Sequence, residues 1–544
     1  MDAKTLGEIG QDLFAKRGSL MMLWQETAEN FYPERADFTY RRSLGTEFAA
    51  GLMTSYPLMC RRDLGDQIGT MLRPTAKPWF EMKTQDEARM DNRARRWMQW
   101  ATGIQRRAMY DNKSLFTKAS KEGDHDFAAF GQTVLSCRMN RNRDALLYQC
   151  WHLRDVTWQE NSDGEICAIW RKWKPGAREL KRMFGDRIHR DVQQLIDQRK
   201  PFEETECMHI IVEADMFDDD ARGRPYWSIY YDVAHDHVME KVAVWNKEYM
   251  ISRWQTVSGS QYAFSPATVA ALPDARLIQA MTYTLLEAGE KVVNPPMVAT
   301  EDVVRSDMAI YAGGTTWVDR DYDERLGDAL RPMNIDAKGM PLGVDMQKDC
   351  RAMIMQAFYL NKLNLPQRSA EMTAYEVGQR IQEYIRGALP LFEPMEDERN
   401  GQVCEITFDV LLRAGAFGSP QDMPESLRGA DIQFGFMSPL HDAIEELKGQ
   451  KFINMGQYIA AAVQLDPSAA AIPDVKVALR DVLQGVGTPA TWVRDEVTVR
   501  QIEEQEAAAK KAAATLAVMQ QGSEVVGNLA GAAKDQAAAT AVPA

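Results

Sequence analysis

The chain has 544 residues, of which 45% are hydrophobic and 26% charged, and it carries a formal net charge of −14 at neutral pH. This length exceeds what one hydrophobic core can organise, so two to four structural units are expected, and the composition is that of a soluble globular protein rather than a disordered or membrane protein. The negative charge disfavours a protein whose main task is to grip nucleic acid, because tight phosphate binding needs a basic surface.

The first third of the chain predicts helices with one short strand. Residues 3–32 have the pattern of two helices broken at Gly18, and residues 43–72 again have helical spacing. Two prolines then favour an extended passage into a short strand around Trp79–Met82. A long helix is expected at about 86–120.

From residue 131 to 252 the hydrophobic period changes to two, which is typical of strands. The strand-like stretches read "QTVLSCR", "ALLYQCWH", "EICAIWRKW", "CMHIIVEADMF", "PYWSIYYDV" and "EYMISRW", and one helix, "GARELKRMFG", interrupts them. The fold class expected from these elements is α+β and mainly helical.

Two helices of matching length follow. Ser265 and Pro266 begin a short helix, and Pro273 is expected to separate it from the next one. Asp274–Lys291 predicts a rod of roughly 27 Å that ends before Pro295 and Pro296. The second helix is expected at Val344–Asn361. Apolar residues at helical spacing predict a seam on each helix for packing against a partner: Leu277, Met281, Leu285, Ala288 and Val292 on the first, and Met346, Cys350, Met353, Ala357 and Leu360 on the second.

Between the two helices, "MAIYAGGTTWV" predicts a hairpin that turns at Gly313 and Gly314. After the second helix the sequence predicts a break, a third helix at Thr373–Gly387, and further helix to about 416. A strand, "DIQFGFM", and a helix from Ser438 to about 464 follow. The chain then continues into an Ala-rich helix and a low-complexity tail.

Motifs for catalysis are missing from the sequence. It contains no GxxxxGK[ST], GxSxG, HExxH or GxGxxG, so no catalytic residue, cofactor or phosphate-binding loop is predicted. The start of the chain lacks the apolar stretch of a signal peptide, and no apolar run reaches the roughly 20 residues of a membrane span. Seven cysteines without CxxC spacing are expected to be reduced structural thiols: Cys60, Cys137, Cys150, Cys167, Cys207, Cys350 and Cys404.

Three polar clusters invite functional readings that the sequence does not favour. His235 and His237, on one face of a predicted strand, could ligate a metal, but no third ligand lies at a usual spacing. The run 218–220 could bind a divalent ion but is more typical of a solvated turn. His125, flanked by two aspartates, could act in acid–base chemistry, although a role next to the strand at Thr133 is favoured. No metal site is therefore predicted.

The region from Arg89 to Arg107 combines basic and aromatic residues. It has six arginines and one acid, and Trp97 and Trp100 lie among them. Such a helix could be a nucleic-acid platform, but tryptophans at this spacing more often face a core. By contrast, residues 301–330 hold eight acids and three arginines, so different surfaces are expected to meet different neighbours.

Several stretches together resemble the portal, or head-to-tail connector, proteins of short-tailed bacteriophages. They are "LFAKRGSLMMLWQETAENFYPER", "GTMLRPTAKPWFEM", "NPPMVAT" directly after a helix, "EMTAYEVGQRIQE" and "GTPATWVRDEVTVRQIEEQEAA". The resemblance implies a ring of twelve identical subunits at one capsid vertex, with a central channel through which double-stranded DNA is packaged and ejected. It also implies a structural protein, not an enzyme, that is assembled in the host cytoplasm and becomes part of the virion.

The resemblance divides the chain into the parts of a portal subunit. They are a wing at 1–272, stem helix 1 at 273–293, a clip at 294–342, stem helix 2 at 343–361, a channel loop at 362–371, a second wing part at 372–437, a crown at 438–522, and a low-complexity tail at 523–544. The clip would start at Pro295 and Pro296, and Lys362 and Arg368 would be candidates for transient contact with DNA phosphates.

The implied partners are other copies of the chain, the terminase motor, the tail adaptor and tail proteins, capsid and scaffolding proteins, and the DNA itself, but no membrane. Two other classes stay open on the residues alone. One is a nucleic-acid-binding scaffold that uses the arginine and tryptophan helix, and the other is an enzyme of the packaging machinery, such as a nuclease or ATPase.

Overall fold

The computed structural model describes residues 1–84, 92–299, 337–363 and 395–437 apart from a few single positions, together with scattered residues of 317–333 and parts of 449–511. The predicted helix at 373–387 and the low-complexity tail lie outside the described residues. The arrangement is a mixture of helices and antiparallel strands, which confirms the α+β class.

Twelve helices of the described residues are numbered here in chain order. They are α1 (Ala3–Lys16), α2 (Gly18–Phe31), α3 (Tyr56–Leu72), α4 (Asn92–Met109), α5 (Phe116–Phe130), α6 (Ala177–Phe184), α7 (Arg190–Asp197), α8 (Leu272–Val293), α9 (Met340–Ala357), α10 (Leu360–Leu363), α11 (Gln402–Arg413) and α12 (Val475–Gly485). Residues 452–462 and 498–511 are helical as well.

The strands form four sheets among the described residues, and the pairings in the three that do not contain β1 are antiparallel. They are β1 (Phe80–Thr84), β2 (Gln132–Met139), β3 (Leu146–Trp151), β4 (Val156–Glu160), β5 (Ile166–Trp173), β6 (Cys207–Glu213), β7 (Tyr226–Asp232), β8 (His237–Val244), β9 (Tyr249–Arg253), β10 (Met297–Ala299), β11 (Leu330–Pro332) and β12 (Ile432–Phe436). A five-stranded sheet has the order β4-β5-β6-β7-β8, a three-stranded sheet the order β3-β2-β9, and β1 pairs with β12 and β10 with β11.

The chain forms two compact units. The first contains Met1–Phe80, Ile104–Ala416 and Phe436–His441, and it holds both large sheets. The second contains Glu81–Gly103, Phe417–Gly435 and Asp442–Ala544. In the second unit the Met82 amide donates to the Thr102 hydroxyl at 3.2 Å, and this bond ties β1 to α4.

Helix α1 lies closely on the five-stranded sheet because two of its residues are glycines. A Cβ on Gly10 would come within 2.6 Å of the Trp170 ring, and one on Gly7 within 2.8 Å of Tyr231. The Trp170 indole N–H donates to the Leu6 carbonyl at 2.9 Å. The absence of side chains at Gly7 and Gly10 thus allows α1 to approach the sheet closely. The predicted break between the first two helices is confirmed, since α1 ends at Lys16 and α2 begins at Gly18.

The two large sheets are joined by a buried histidine. The Tyr249 hydroxyl lies 2.7 Å from His209 Nδ1 and also accepts from Arg171 Nε at 2.7 Å, while His209 Nε2 lies 2.9 Å from the Ser228 hydroxyl. Burial, and secondarily the nearby guanidinium of Arg171, lower the pKa of His209 well below its usual value. The imidazole is therefore neutral in the folded protein and acts as a polar cross-link between β6 and β9.

A buried carboxylate holds three separate parts of the first unit together. Asp124 on α5 accepts from Arg399 at 2.6 Å and from Arg73, which follows α3. Arg73 also donates to the Asn400 side-chain oxygen at 2.9 Å. Since all four side chains are almost completely buried, the two guanidinium charges depend on this single carboxylate for compensation.

Several predicted elements differ from the structure. The single helix expected at about 86–120 is wrong, because α4 and α5 are separated by a turn in which Leu115 has a left-handed φ of 57°. The helix expected at 43–72 begins only at Tyr56. Strand β4 and helix α7 were not predicted, because short elements give few periods of hydrophobic pattern.

Pro273 does not separate two helices as the sequence suggested. Residues Ala267–Ala271 form a π-helical turn that runs directly into α8. The Ser265 hydroxyl accepts from the Thr268 amide at 3.2 Å, as a helix N-cap does. The wider π turn leaves room for a proline that cannot donate to the preceding turn, so the helix continues.

The Asp124 cluster yields a stability prediction. In Asp124→Asn, two buried guanidinium groups lose their counter-charge, so we expect a loss of about 3–5 kcal/mol in the free energy of unfolding. Urea unfolding of the full chain measures this change. Asp186→Asn removes a carboxylate that is 99% exposed in its pair with Lys181, and should leave the midpoint unchanged. Equal midpoints for the two variants would contradict the role given to Asp124.

Candidate functional site

Helices α8 and α9 form an antiparallel hairpin. Gln347 Nε2 donates to the Thr282 hydroxyl at 2.8 Å, and Cys350 Sγ donates to the Asp274 carbonyl at 3.3 Å. At 22 residues, α8 extends for roughly 33 Å. It is longer than the predicted Asp274–Lys291, and α9 starts earlier and ends earlier than the predicted Val344–Asn361.

A glycine sets the distance between the two helices. A Cβ on Gly343 would lie 2.7 Å from Leu285 Cδ2, closer than two carbon atoms can approach without moving. The leucine therefore packs against the bare backbone of α9 at this level. Near Ala357 the second helix ends, because Tyr359 takes a left-handed φ of 57° while the Phe358 ring is buried against Phe31.

The two predicted apolar seams are rotated away from the interface between the helices. The predicted seam residues Leu277, Val292, Met346 and Met353 are exposed. The residues that face the partner helix include Ala275, Ile278 and Leu285 on α8, and Gly343, Gln347, Cys350 and Ile354 on α9. Leu285 and Cys350 thus lie at the contact as predicted, whereas the centre of each predicted seam is displaced by roughly 80° from the line of contact on helices of 3.6 residues per turn.

The displaced seams form one face of the hairpin, which we call flank A. Because the helices are antiparallel and both seams are displaced in the same sense, they lie on the same side. Flank A comprises Leu277, Met281, Val292, Leu342, Met346 and Met353. Leu342 is 67% and Met346 52% exposed, so this face is apolar and largely open in the single chain.

The opposite face of the hairpin, flank B, is also apolar. It comprises Tyr283, Leu286, Val293, Val344 and Met355, among which Leu286 is 61% exposed. Gln279 and Arg351 lie on the same side; Gln279 contacts the segment before α3, and Arg351 contacts the first residue of α3. The Gln279 amide oxygen accepts from the Thr54 amide at 2.9 Å, and Arg351 lies over the Tyr56 ring.

The base of the hairpin is bonded to helix α2 of the first unit and to the segment before α3. Gln279 Nε2 donates to the Thr54 carbonyl at 2.9 Å, and Arg276 Nε donates to Glu26 at 2.5 Å. The end away from this base has no buried residue on α8 after Ile278. Burial in the single chain is thus limited to the anchored end.

The double proline ends the hairpin and starts a two-stranded ribbon. Met297 pairs with Pro332 and Ala299 with Leu330, and the Met333 amide donates to the Pro296 carbonyl at 2.8 Å. Pro295 and Pro296 thus stand where the helix changes to extended chain, as the sequence predicted. Gly313 and Gly314, the predicted turn, lie outside the described residues.

Of the two predicted DNA-contacting residues, only Lys362 is described. It is exposed on the short helix α10, and its ammonium lies 5.8 Å from the centre of the Tyr359 ring. Arg368 lies outside the described residues. The contact of these two side chains with DNA phosphates therefore stays a prediction.

The arginine and tryptophan helix has a mixed environment. Trp97 is buried and packs near Phe417 within the second unit, whereas Trp100 is 45% exposed. Arg96 donates to the Val493 carbonyl at 3.3 Å, also within that unit. Trp97 thus belongs to a core, as the sequence favoured.

The polar clusters considered from the sequence have structural contacts. Asp219 pairs with Lys241 at 2.6 Å, and Asp220 accepts from the Arg222 amide in a turn. His125 does not adjoin the strand at Thr133 as a cap. It lies within α5, its ring is 3.6 Å from Asp66, and burial lowers its pKa.

His235 and His237 do not share the face of one strand. His235 lies in the turn between β7 and β8, where Asp236 has a left-handed φ of 52°, and His237 is the first residue of β8. The sequence pattern missed this turn because two histidines separated by one residue have the period of a strand. Within the described part of the chain, no helix combines the length and apolarity that crossing a bilayer requires.

With this geometry established, comparison with known proteins assigns the chain to a class. Residues 3–493 match the family described as "Bacteriophage head to tail connecting protein". The chain belongs to this family of connecting proteins. The resemblance stated from the sequence is confirmed, and so is the expectation of a structural protein rather than an enzyme.

Two relatives cover most of the chain. The "Probable portal protein" of Bordetella phage BPP-1 is 23% identical over 442 residues, which are 79% of this chain and 78% of the relative. The "Portal protein" of Salmonella phage epsilon15 is 21% identical over 472 residues, 85% of this chain and 83% of the relative.

Solved structures from gene transfer agent particles are more distant. A chain of the virion of the native particle aligns with a TM-score of 0.35 and 9% identity, over 79% of this chain and 94% of the other. A chain of the neck of the empty particle aligns with a TM-score of 0.36 and 9% identity, over 76% and 91%. Likenesses at this level support no conclusion about the present chain.

The close approach at Gly343 can be tested by adding bulk. In Gly343→Leu the new side chain must displace Leu285, so we expect the hairpin to lose about 1–3 kcal/mol of packing energy. Hydrogen exchange of α8 and α9 in the full chain measures the loss as faster exchange. Gly339→Leu is the matched control, since a Cβ there meets no atom within 4 Å. Equal exchange in both variants would show that the glycine does not set the spacing.

Proposed function

We propose that this chain is the subunit of a ring-shaped portal at one capsid vertex, through which double-stranded DNA enters and leaves the capsid. The observation that carries the proposal is the α8–α9 hairpin, which is apolar on both flanks but buried only at its base. The family assignment and the names of the two phage relatives support the same function.

A ring explains why both flanks are apolar. A two-fold dimer would pack one flank against the same flank of the second copy and would leave the other flank in water. If flank A of one subunit packs on flank B of the next, the contact is head-to-tail, and such contacts close into a ring when the rotation allows. The proposed ring of twelve subunits rests on the resemblance to phage portal proteins.

The remaining parts of the subunit take the roles that the resemblance implies. The hairpin is the stem, the antiparallel sheets and helices before Pro273 and the part at 372–437 form the wing, and residues 294–342 form the clip. The ribbon β10–β11 would begin the clip, which docks the terminase during packaging and the tail adaptor afterwards. Residues 438–522 would form the crown and face the capsid interior and its scaffolding proteins.

The negative charge of the chain is suited to a channel through which DNA slides. The chain carries a net charge of −14, and residues 301–330 are strongly acidic. Repulsion between such a surface and phosphate groups limits adhesion. Lys362, exposed at the end of the stem, and Arg368 would then supply brief phosphate contacts in the loop at 362–371.

Ring formation can be tested at the two flanks. We expect Leu286→Glu on flank B and Met346→Glu on flank A each to abolish rings, because a charge would be buried between apolar faces. Analytical ultracentrifugation and negative-stain imaging of the purified chain measure assembly, and circular dichroism confirms folding. Phe202→Glu, at a 78% exposed aromatic outside the hairpin, is the matched control and should still form rings. Intact rings in both flank variants, or a monomeric wild-type chain, would contradict the proposal.

The loop contacts can be tested separately. We expect Lys362→Ala combined with Arg368→Ala to shorten the DNA retained per capsid, since two phosphate contacts per subunit are lost. Gel analysis of DNA from purified capsids measures the length. Lys181→Ala with Arg182→Ala on α6 removes the same charge elsewhere and should leave the length unchanged. Normal DNA length in the loop variant would contradict the proposed phosphate contacts of the loop, but it would not contradict the proposed ring.

A further inference from the structure

Three of the seven histidines come together beside the edge strand β8. His189 precedes α7, His235 lies in the turn after β7, and His237 begins β8. The rings of His189 and His235 stack with centres 4.6 Å apart, and the centres of His189 and His237 are 5.7 Å apart. Neither the family assignment nor the proposed channel gives a reason for this concentration.

A buried carboxylate orients His235. Asp232 is completely buried, and its Oδ2 lies 2.8 Å from His235 Nδ1. Its other oxygen accepts from the amides of Ala234 and His235 at 3.1 and 3.2 Å. Because the carboxylate needs a donor, Nδ1 carries the proton and Nε2 presents its lone pair away from Asp232. Metal-binding histidines are commonly held by a carboxylate in this way.

Two more possible ligand groups lie near the His235 ring. His189 Nδ1 accepts from the Asp191 amide at a long 3.3 Å, and the same nitrogen lies 3.6 Å from Asp191 Oδ2. One ligand atom from each of His189, Asp191 and His235 lies within 4.8 Å of the others, and all three residues are partly exposed. Among the described residues, this is the group of three whose spacing suits a metal ion.

We propose that His189, Asp191 and His235 bind one divalent transition-metal ion, with Asp232 as the positioning residue for His235. Two imidazoles and one carboxylate suit Zn²⁺, which takes such ligands at about 2.0–2.2 Å and leaves a fourth position for water. In a tetrahedral site the ligand atoms are about 3.3 Å apart, whereas here they lie within 4.8 Å of one another. Binding of the ion therefore requires small rotations of these partly exposed side chains.

The structure also shows what competes with the ion. Arg190 Nε lies 3.5 Å from the other oxygen of Asp191, and metal binding must retain or replace this weak surface pair. His237 donates from Nε2 to the Arg187 carbonyl at 2.9 Å, and its ring centre lies 5.7 Å from that of His189. The bound ion would join α7 to the β7–β8 turn, two parts that are far apart in sequence.

Titration of the untagged full chain tests the site. The chain is first treated with a chelator and then titrated with Zn²⁺ by calorimetry and with Co²⁺ by visible absorption. We expect one ion per subunit and the intense visible bands of tetrahedral Co²⁺. His235→Gln and His189→Gln should abolish this binding, and Asp232→Asn should weaken it about 10- to 100-fold. Asp191→Asn should also weaken it, whereas Asp197→Asn, at the other end of α7, should bind as the wild type does.

Three results would overturn the site. They are the absence of stoichiometric binding to the wild-type chain, binding that survives in both histidine variants, and equal effects of Asp191→Asn and Asp197→Asn. If the histidine variants fail to fold, the wild-type Co²⁺ spectrum and the two aspartate variants still decide. The outcome is independent of ring formation, which does not require the ion.

Discussion

The hairpin of α8 and α9 is governed by a limit on how much surface two helices can bury against each other. Each helix can turn one narrow face toward its partner, and here these faces combine small and polar residues such as Gly343 and Gln347 with a few larger apolar ones such as Ile278. Other apolar side chains, among them Leu286 and Met346, lie exposed on the two flanks. A single copy of the chain therefore leaves apolar helix surfaces in water, and other copies of the same chain offer a way to cover them.

The first unit is built to hold this hairpin firmly at one end. Gln279 bonds to the segment before α3, and the Phe358 ring packs on Phe31 of α2. Below them, Asp124 draws α3, α5 and the turn around Arg399 into one buried ionic cluster. The hairpin is thus held at its base by hydrogen bonds and packing, while its flanks stay uncovered in the single chain.

The hydrophobic pattern and the positions of glycine and proline in the sequence predicted a good part of this fold. The break at Gly18, the strand-rich region, the helix before Pro295 and the strand at Ile432–Phe436 all follow from local rules, and the family resemblance was confirmed. The errors are also local. A proline at 273 was read as a helix end because sequence rules do not foresee a π turn, and the turn at Leu115 was missed because a leucine is an unusual residue for a left-handed backbone.

By itself the sequence determined that there are two long helices and that the first changes to extended chain at Pro295, because hydrophobic period and proline act within a few residues of the chain. Only the tertiary structure decided which face of each helix meets the other. The apolar seams marked the faces that need covering, but they did not show whether the cover is the partner helix or another molecule. The convergence of His189 with His235 was likewise decided in three dimensions, because 45 intervening residues and two strands separate ligands that a motif would place close together.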